Sequence, residues 1–253
     1  MIASSLFHFT KYKGLKAILQ SGCLRASYNL EEVSDLKQGF KYCAIPMICF
    51  CDIPLKSLPD QHILSYGAYG LGFTKEWAIQ NKVQPILYRI DGSDIIKSTS
   101  ELIESNNRSS ELLNKLDPWS DQLNNQSFTK LVESSVELKG LIFDNYAFSK
   151  PYGEDGRYYR EREWRYKAHS PLTFSNRKSD RSDINKAYHE DLNDTSKYLN
   201  FDISDIEHVV LKKRSDMRRF ISFINSTYPK MKETERYLLF QKVTDLETIQ
   251  RDM

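Results

Sequence analysis

One uninterrupted apolar run constrains the fold more than any other stretch of the sequence. Residues 45–51 read IPMICFC and contain no charged side chain. An apolar run of this length that is bounded by turn formers is typical of a buried strand, and here Asp52-Ile-Pro54 and Leu58-Pro59 follow it. The sequence therefore predicts a β-sheet with this segment as a central strand.

A second predicted strand contains most of the candidate chemistry. Residues 157–167 read RYYREREWRYK and follow a loop at 149–156 that is rich in turn formers. Because side chains alternate along a strand, two sets are predicted to face opposite ways: Arg162, Trp164, Tyr166 and Ala168 against Glu161, Glu163 and Arg165. The two carboxylates would lie roughly 6.5–7 Å apart along the strand. This pattern fits either a chemical site or a half-buried strand with a solvated charged face.

Further strands and helices indicate the fold class. Apolar and alternating patterns predict strands at 6–10, 84–90, 141–148, 199–201 and 206–211. Helical spacing predicts a helix over 14–22 that stops at Gly22, a helix over 75–81 capped by Thr74, and a helix capped by Ser215. Strands mixed with irregularly placed helices indicate an α+β fold.

The 253 residues are predicted to form a single α+β domain, 1–253, with a helical insertion. Apolar residues recur at helical spacing over 93–139, with breaks near Asn106 and Pro118. Residues 175–196 are polar and nearly free of aliphatic side chains, which predicts a long surface loop. Residues 29–42 have the composition of a helix turn plus loop, and residues 237–243 fit a strand and a helix equally well.

Charge and cysteine spacing narrow the classes of partner. A net charge of +2 does not require a nucleic-acid or anionic-membrane partner. Positive charge is concentrated at 157–167 and 212–219, which leaves nucleic acid as an alternative partner. No apolar run is long enough to span a bilayer, residues 1–10 lack the features of a signal peptide, and the cysteines lack zinc-binding spacing. We therefore expect a cytoplasmic protein that needs neither a membrane nor a metal.

Two other segments contain candidate binding residues. The segment Tyr66–Thr74 interleaves aromatic residues with glycines, which predicts close approach to a ligand or to another element. It fits a stacking platform for a planar ring as well as a tight hairpin with packed tyrosines. His8 and Thr10 share one face of the first predicted strand, where a histidine is either a site residue or a hydrogen-bonded core residue.

Five segments of the chain together resemble a known family. They are LFHFT at 6–10, LKAILQSG at 15–22, ICFCDIP at 48–54, YGAYGLGFTKEW at 66–77 and EWR at 163–165. The resemblance is to the AbiGi family of bacterial abortive phage-resistance proteins, and it spans most of the chain. The order of histidine, aromatic residue and glutamate is also similar, more remotely, to the ADP-ribosyltransferase superfamily.

The more remote resemblance implies a split β-sheet core that binds NAD in a cleft. By that resemblance His8 would hold the ribose hydroxyls, with support from Thr10. Tyr69, or alternatively Tyr66 or Phe73, would stack on the nicotinamide ring.

The same resemblance assigns roles to the two carboxylates. Glu163 would contact the nicotinamide ribose, and Glu161 would orient or deprotonate the acceptor. Loss of nicotinamide builds positive charge on the ribose, which a nearby carboxylate stabilises, and a second carboxylate can act as a base. Arg160, Arg162 and Arg165 flank these residues and could instead hold them in ion pairs.

Two functional hypotheses follow from these features. The first is a phage-defence protein that transfers ADP-ribose from NAD to a macromolecular target. The alternative is a non-catalytic antitoxin or sensor that binds a partner protein in a two-gene defence system, because AbiGi-like proteins are described as antitoxins.

Overall fold

A nine-stranded mixed sheet forms the centre of the computed structural model, which describes residues 4–34, 39–115, 125–169, 172–190 and 197–252. The described strands are β1 (Ser5–Thr10), β2 (Cys23–Arg25), β3 (Ser27–Glu32), β4 (Tyr42–Cys51), β5 (Tyr69–Thr74), β6 (Gln84–Pro85), β7 (Leu87–Arg89), β8 (Ser149–Pro151), β9 (Glu163–Lys167), β10 (Thr173–Ser175), β11 (Tyr198–Asn200), β12 (Ile206–Leu211) and β13 (Val243–Asp245). The described helices are α1 (Tyr12–Ser21), α2 (Asp60–Tyr66), α3 (Lys75–Gln80), α4 (Asp94–Lys115), α5 (Asn125–Ala147), α6 (Asp180–Glu190), α7 (Met217–Thr227), α8 (Glu233–Gln241) and α9 (Leu246–Asp252). The mixture confirms the α+β class.

The main sheet has the order β13-β12-β5-β1-β4-β9-β6, and β3 and β10 also pair with β4. Strands β12 and β13 are parallel, and the other pairs in this sheet are antiparallel. Two small sheets pair β2 with β11 and β7 with β8. The predicted central strand is confirmed as β4, which is almost entirely buried.

The two faces of the sheet carry different side chains. One face, called here the helical face, contributes Leu6, Phe50, Leu71 and Phe73 to the largest core cluster, where they join side chains of α1 and α7 such as Leu15 and Phe220. The opposite face, called here the carboxylate face, carries Phe7, Cys51, Glu163 and Arg165. Phe7, Cys51 and Glu163 occupy directly paired positions on β1, β4 and β9, so they project to the same side.

Several predicted boundaries are confirmed by the backbone. Gly22 ends α1 in the left-handed conformation with φ 65°. The side chain of Thr74 accepts a hydrogen bond from the backbone N–H of Trp77 at 3.1 Å and so caps α3. The strand predicted at 206–211 is β12, and the one at 199–201 is β11 shifted by one residue.

Residues 141–148 are not a strand. Residues 141–147 are the last turns of α5, and its Ile142, Phe143, Tyr146 and Ala147 are buried against Ile103 and Met47. Buried residues at i, i+1, i+4 and i+5 follow helical spacing, yet over a short window they read as an apolar run.

Two segments that the sequence predicts to be irregular form regular secondary structure, so both predictions are wrong. Residues 27–32 form β3, whose alternate residues Asn29 and Glu31 line a cleft and make the segment look polar. Residues 180–190 form α6, which packs a narrow stripe with Ile184 and Tyr188 against Tyr28. Residues 191–196 of the predicted surface loop lie outside the described residues.

Smaller corrections concern element ends. The segment predicted as one strand over 84–90 divides at Ile86 between β6, which pairs with β9, and β7, which pairs with β8. Ser215 lies in a short 3-10 turn, and Asp216 holds the N-cap position of α7. The ambiguous residues at 237–243 are the end of α8 followed by the start of β13.

The predicted insertion is a pair of long helices, α4 and α5. Helix α4 is continuous through Asn106, so the break predicted there is wrong, while the break near Pro118 lies outside the described residues. Beyond the apolar contact of Ile103 with the end of α5, the two helices make polar contacts: Asn106 Nδ2 donates to Ser135 O at 3.2 Å, and the hydroxyls of Ser110 and Ser135 are 2.7 Å apart. Several aliphatic side chains are instead exposed: Ile95, Leu102, Leu112, Leu131, Val136, Leu138 and Leu141.

Candidate functional site

A gap in the main sheet forms the base of the candidate site. Strand β1 pairs with β4 at Phe7 and Cys51, and β3 pairs with the same edge of β4 over Tyr42–Met47. Cys51 also pairs with Glu163 of β9, which lies on the other edge of β4. On the first edge, residues 48–50 of β4 therefore lie between the part that pairs with β3 and the part that pairs with β1. Strands β1 and β3 therefore leave a gap along this edge of β4, next to the strand that contains His8.

The imidazole of His8 spans this gap. Its Nδ1 is 2.9 Å from the carbonyl oxygen of Cys49. A carbonyl oxygen accepts but cannot donate, so Nδ1 holds the proton. Burial lowers the pKa of His8, although the bond to Cys49 opposes this effect, so the ring is neutral near pH 7 and Nε2 is an acceptor.

An ionic cluster lies beside the gap on the carboxylate face. Arg165 is fully buried (0% exposed), and its Nε donates to Glu163 Oε1 at 2.6 Å. The same guanidinium donates to Glu31 Oε1 and to the carbonyl oxygen of Ala147, each at 2.7 Å. The ammonium of Lys150 bridges Glu161 Oε2 at 2.7 Å and Glu163 Oε2 at 3.0 Å.

The cations of the cluster keep Glu163 ionised. Burial alone would raise its pKa, but Arg165 and Lys150 outweigh that effect and lower the pKa to about 2. Burial raises the pKa of Glu31 in spite of its ion pair with Arg165. The nearby negative charges also raise the pKa of Lys150, against the effect of its own burial. The cluster therefore contains one carboxylate that stays ionised, Glu163, and two side chains beside it that stay positively charged, Arg165 and Lys150.

Glu161 reaches the cluster by a different route from the predicted one. It ends a 3-10 turn, Tyr159–Glu161, and Arg162 then adopts φ 46° before β9 begins at Glu163. The expectation that Glu161 shares a strand with Glu163 is therefore wrong. Lys150 nevertheless binds both side chains, so the two carboxylates lie close together.

A cleft of about 1490 Å³ contains the gap and the ionic cluster. Four predicted site residues line it: His8, Tyr66, Glu161 and Glu163. Tyr66 is 43% exposed, and His62 lies beside it with ring centroids 4.6 Å apart. Burial, with a smaller effect of Lys150, lowers the pKa of His62 to about 4. The cleft exceeds the ~300–1,000 Å³ of ordinary small-molecule pockets, so it has room for more than one ligand group.

Three predicted site residues lie outside the cleft lining. Tyr69 is 9% exposed, and its hydroxyl donates to Asp216 Oδ2 at 2.8 Å while Arg219 donates to the same hydroxyl. Phe73 is 0% exposed and stacks on Trp77, with ring centroids 4.2 Å apart. Thr10 is so close to α1 that a Cβ at Gly14 would clash with its hydroxyl. Ring stacking by Tyr69 or Phe73 stays a prediction that this geometry does not favour.

The glycines of the aromatic segment serve contacts between strands. A Cβ at Gly72 would lie 2.8 Å from the Phe7 ring, and a Cβ at Gly70 would lie 2.9 Å from the carbonyl oxygen of His8. Gly67 has φ 114° and directly abuts the backbone of Thr10. Of the two alternatives, close approach to another element is the one observed, although the element is β1 and not a hairpin partner.

Comparison with known proteins identifies the family. The family model described as "Putative abortive phage resistance protein AbiGi, antitoxin" matches residues 17–212. The chain belongs to the AbiGi family. An abortive phage resistance protein AbiGi of Lactococcus lactis subsp. cremoris is 25% identical over 252 residues, covering 88% of this chain and 92% of that protein. No solved structure matches the chain.

The AbiGi assignment confirms the resemblance found in the five sequence segments, while the likeness to ADP-ribosyltransferases stays a prediction. The expectation that an arginine would hold a carboxylate is confirmed for Arg165 and Glu163. Among the described helices of this AbiGi-family protein, none is long and apolar enough to cross a membrane.

Sequence reasoning missed several cleft residues of the AbiGi-family chain. Lys150 lies in the segment that was predicted as a loop, and Glu31 lies in one predicted as irregular. Tyr88 does not line the cleft but supports it, because its hydroxyl accepts a hydrogen bond from the backbone N–H of Glu163 at 2.7 Å. A usable signal for Glu31 was the alternation of Tyr28, Leu30 and the polar residues between them, which is typical of a half-buried strand.

Proposed function

We propose that this AbiGi-family protein acts in bacterial phage defence by binding NAD in its cleft and transferring ADP-ribose to a macromolecule. The observation that carries the proposal is the placement of His8. Its neutral imidazole bonds to Cys49 across the gap beside β4 and lines the same cleft as Glu161 and Glu163. The likeness to ADP-ribosyltransferases supplies the reaction, and the AbiGi assignment supplies the biological setting.

The cleft residues fit the parts of a dinucleotide. His8 Nε2 is available as an acceptor for a ribose hydroxyl, because Nδ1 is committed to Cys49. The exposed ring of Tyr66 offers a stacking surface for a planar base. Arg157 and Arg181 also line the cleft, and guanidinium groups suit the pyrophosphate. Tyr66 therefore replaces Tyr69 as the stacking residue in this proposal.

Ionised carboxylates next to a ribose suit the transfer of ADP-ribose. When bound, NAD supplies the ribose carbon and nicotinamide as its leaving group. Glu163, held ionised by Arg165 and Lys150, stabilises the positive charge that develops on that carbon. Glu161 accepts the proton of the incoming nucleophile, because it is the more exposed of the two carboxylates.

Lys150 imposes a condition on this chemistry. In the structure its ammonium pairs with both carboxylates, which offsets part of their charge. Glu161 can act as a base only when Lys150 pairs elsewhere. The diphosphate of a dinucleotide would provide such a competing anion within the same cleft.

The test measures NAD binding by calorimetry and transfer of labelled ADP-ribose in lysate of infected cells. We expect Glu161→Gln and Glu163→Gln to reduce transfer by roughly a hundredfold to a thousandfold while the protein stays folded. Tyr66→Ala should weaken binding of NAD. Glu76→Gln, an exposed change on α3, is the matched control and should behave as wild type.

Absence of NAD binding by wild type would sink the proposal, as would equal transfer by wild type and Glu163→Gln. Circular dichroism checks that each variant is folded, since Glu163 pairs with the buried Arg165. Glu161→Gln keeps the test valid if Glu163→Gln does not fold, because Glu161 lies at the cleft surface.

A second candidate function is that of an antitoxin which binds a partner protein. The family description supports it, and so do the exposed aliphatic side chains of α4 and α5. Co-purification with the product of a neighbouring gene, lost in Leu102→Ser combined with Leu138→Ser, would favour this function. Unchanged co-purification in that variant would count against these helices as the contact.

A further inference from the structure

Two basic segments that are remote in sequence meet on one surface. The guanidinium of Arg219 lies 3.9 Å from the ring centroid of Tyr12, and Lys16 Nζ lies 5.4 Å from the same centroid. These contacts join the start of α1 to the start of α7. The basic surface is defined here by Lys11, Lys13, Lys16, Lys212, Lys213, Arg214, Arg218 and Arg219.

The charge of this surface is strongly one-sided. Residues 11–21 contain no acidic side chain, and residues 212–219 contain one, Asp216. Asp216 is buried and already pairs with Arg219 at 3.1 Å. The basic surface holds more positive charge than the net +2 of the whole protein, so the remainder of the chain is net acidic. Acidic residues do approach the end of this surface at Lys212: the backbone N–H of Glu247 donates to the carbonyl oxygen of Lys212, and Asp245 pairs with Leu211.

One cation of the surface is fixed while most of the others are exposed. Arg219 is held by Asp216 and by the hydroxyl of Tyr69, and it stacks on Tyr12. Lys11, Lys13 and Arg218, at the starts of the same two helices, are exposed. Clustering like charges costs free energy unless an anion offsets the repulsion, so the surface is suited to a polyanion.

The chemistry of the surface favours phosphate over protein. Residues 11–22 and 212–228 are all described, and none of them is an exposed large apolar side chain. Protein interfaces need buried aromatic or aliphatic anchors and are depleted in lysine. Phosphate contacts use lysine and arginine alike and need no apolar anchor. We propose that the basic surface binds the phosphate backbone of nucleic acid.

This binding site is independent of the proposed NAD reaction. Helices α1 and α7 pack on the helical face, opposite the side on which Glu163 and Arg165 project. The bound strand would therefore lie on the far side of the sheet from the ionic cluster. Failure of NAD binding would leave this proposal intact, and failure of nucleic-acid binding would leave the NAD proposal intact.

The experiment measures the affinity of the full chain for a fluorescein-labelled oligonucleotide, as a single strand and as a duplex, between ~50 and ~200 mM salt. We expect the affinity to fall steeply with salt, as it does when several phosphates are neutralised. The triple variant Lys11→Ala, Lys13→Ala, Arg218→Ala should bind at least ~10-fold more weakly and lower the duplex salt slope by ~3.

The matched control removes the same number of positive charges elsewhere: Lys56→Ala, Lys115→Ala, Lys130→Ala. All three lysines are exposed, and the control should keep wild-type affinity within about twofold. Equal loss in the two triple variants would overturn the proposal, because net charge alone would then explain binding. No binding at low salt would overturn it as well. Binding of poly-glutamate in place of the oligonucleotide would also overturn it and assign the surface to an acidic protein.

Discussion

The two faces of the central sheet treat charge in opposite ways. On the carboxylate face, Arg165 is fully buried and binds Glu163, Glu31 and a backbone carbonyl. On the helical face, the side chain of Arg219 is 48% exposed and rests on Tyr12. A buried guanidinium must have its donors satisfied inside the protein, so Arg165 holds β9 to the neighbouring segments through these hydrogen bonds. The exposed guanidinium keeps donors available to a ligand.

Strand β5 also places different residues on the two faces of the sheet, within only six positions. Its odd positions, Tyr69, Leu71 and Phe73, fill the core on the helical face. Its even positions include Gly70 and Gly72, which admit the rings of Phe9 and Phe7 on the other face. The aromatic residues that suggested ring stacking are therefore core residues. Of the aromatic residues in the segment 66–74, Tyr66, at the end of α2, is the one that lines the cleft.

The largest expected effect separates the two arginines. Arg165→Met removes the guanidinium from Glu163 and Glu31, leaving Lys150 to pair with the buried Glu163, and should lower the free energy of unfolding by ~3–5 kcal/mol. Arg219→Met also removes a cation from a buried carboxylate, Asp216, but Arg219 is half-exposed and the Tyr69 hydroxyl still donates to Asp216, so the cost should be smaller, ~1–2 kcal/mol. Urea unfolding of both variants measures the difference. Similar losses for the two would show that burial does not distinguish them.

The pH dependence of stability should report the carboxylate face. The pKa of Glu163 is lowered in the folded state, so its contribution is present above its unfolded pKa of ~4.3 and is lost as the pH falls toward about 2. The pKa of Glu31 is raised, mainly by burial, so its effect on stability has the opposite sign. It favours the folded state below the unfolded pKa, and this contribution is lost as the pH rises. We expect the free energy of unfolding to decline below pH ~4.3 in wild type, and more gently in Glu163→Gln. Parallel declines in a urea series would contradict this assignment.

The glycine positions of β5 provide a third test. Gly72→Ala places a Cβ 2.8 Å from the Phe7 ring and should cost ~1–3 kcal/mol by overpacking. Gly140→Ala in α5 is the control, since nothing lies within 4 Å of its Cβ, and it should stabilise the protein by up to ~1 kcal/mol. Thermal unfolding measures whether each variant is stabilised or destabilised. Unchanged stability of Gly72→Ala would show that β1 can shift to make room for the Cβ.

The smallest effect concerns the two tyrosines. Tyr69→Phe removes one hydroxyl from its bonds with Asp216 and Arg219 and should cost ~1 kcal/mol without changing NAD affinity. Tyr66→Phe should leave stability within ~0.5 kcal/mol because that side chain is at the surface. Tyr66→Ala, by contrast, should reduce NAD affinity. A loss of NAD affinity in Tyr69→Phe would restore Tyr69 as a ligand contact.

The sequence predicts the sheet better than it predicts the cleft. The apolar run that became β4 and the pattern that became β12 are visible because both faces of these strands are buried. Strand β3 was missed because its outward residues, Asn29 and Glu31, line the cleft and resemble a loop. The helical end of α5 was missed because its buried residues at 142–147 form a short apolar cluster.

The site could be predicted only in part. Glu163 and Arg165 follow from alternation along one strand, which is a local property. The pairing of Lys150 with Glu161 depends on how the turn at 159–161 folds back over β8, and no local pattern encodes that approach. Placement of Tyr66 instead of Tyr69 at the cleft depends on which face of β5 meets α1 and α7.

The bridge formed by Lys150 has a mechanical consequence. Lys150 and Glu161 lie at the two ends of the segment 150–161, which contributes to the cleft lining. Their ion pair joins these two ends and so restrains the segment. Limited proteolysis near Arg157 should become faster as ionic strength rises, because salt weakens a pair at the surface. An anion that draws Lys150 away would release the segment and free Glu161, while Arg165 would still hold Glu163 in place. Binding of an anion and exposure of Glu161 would then be a single event.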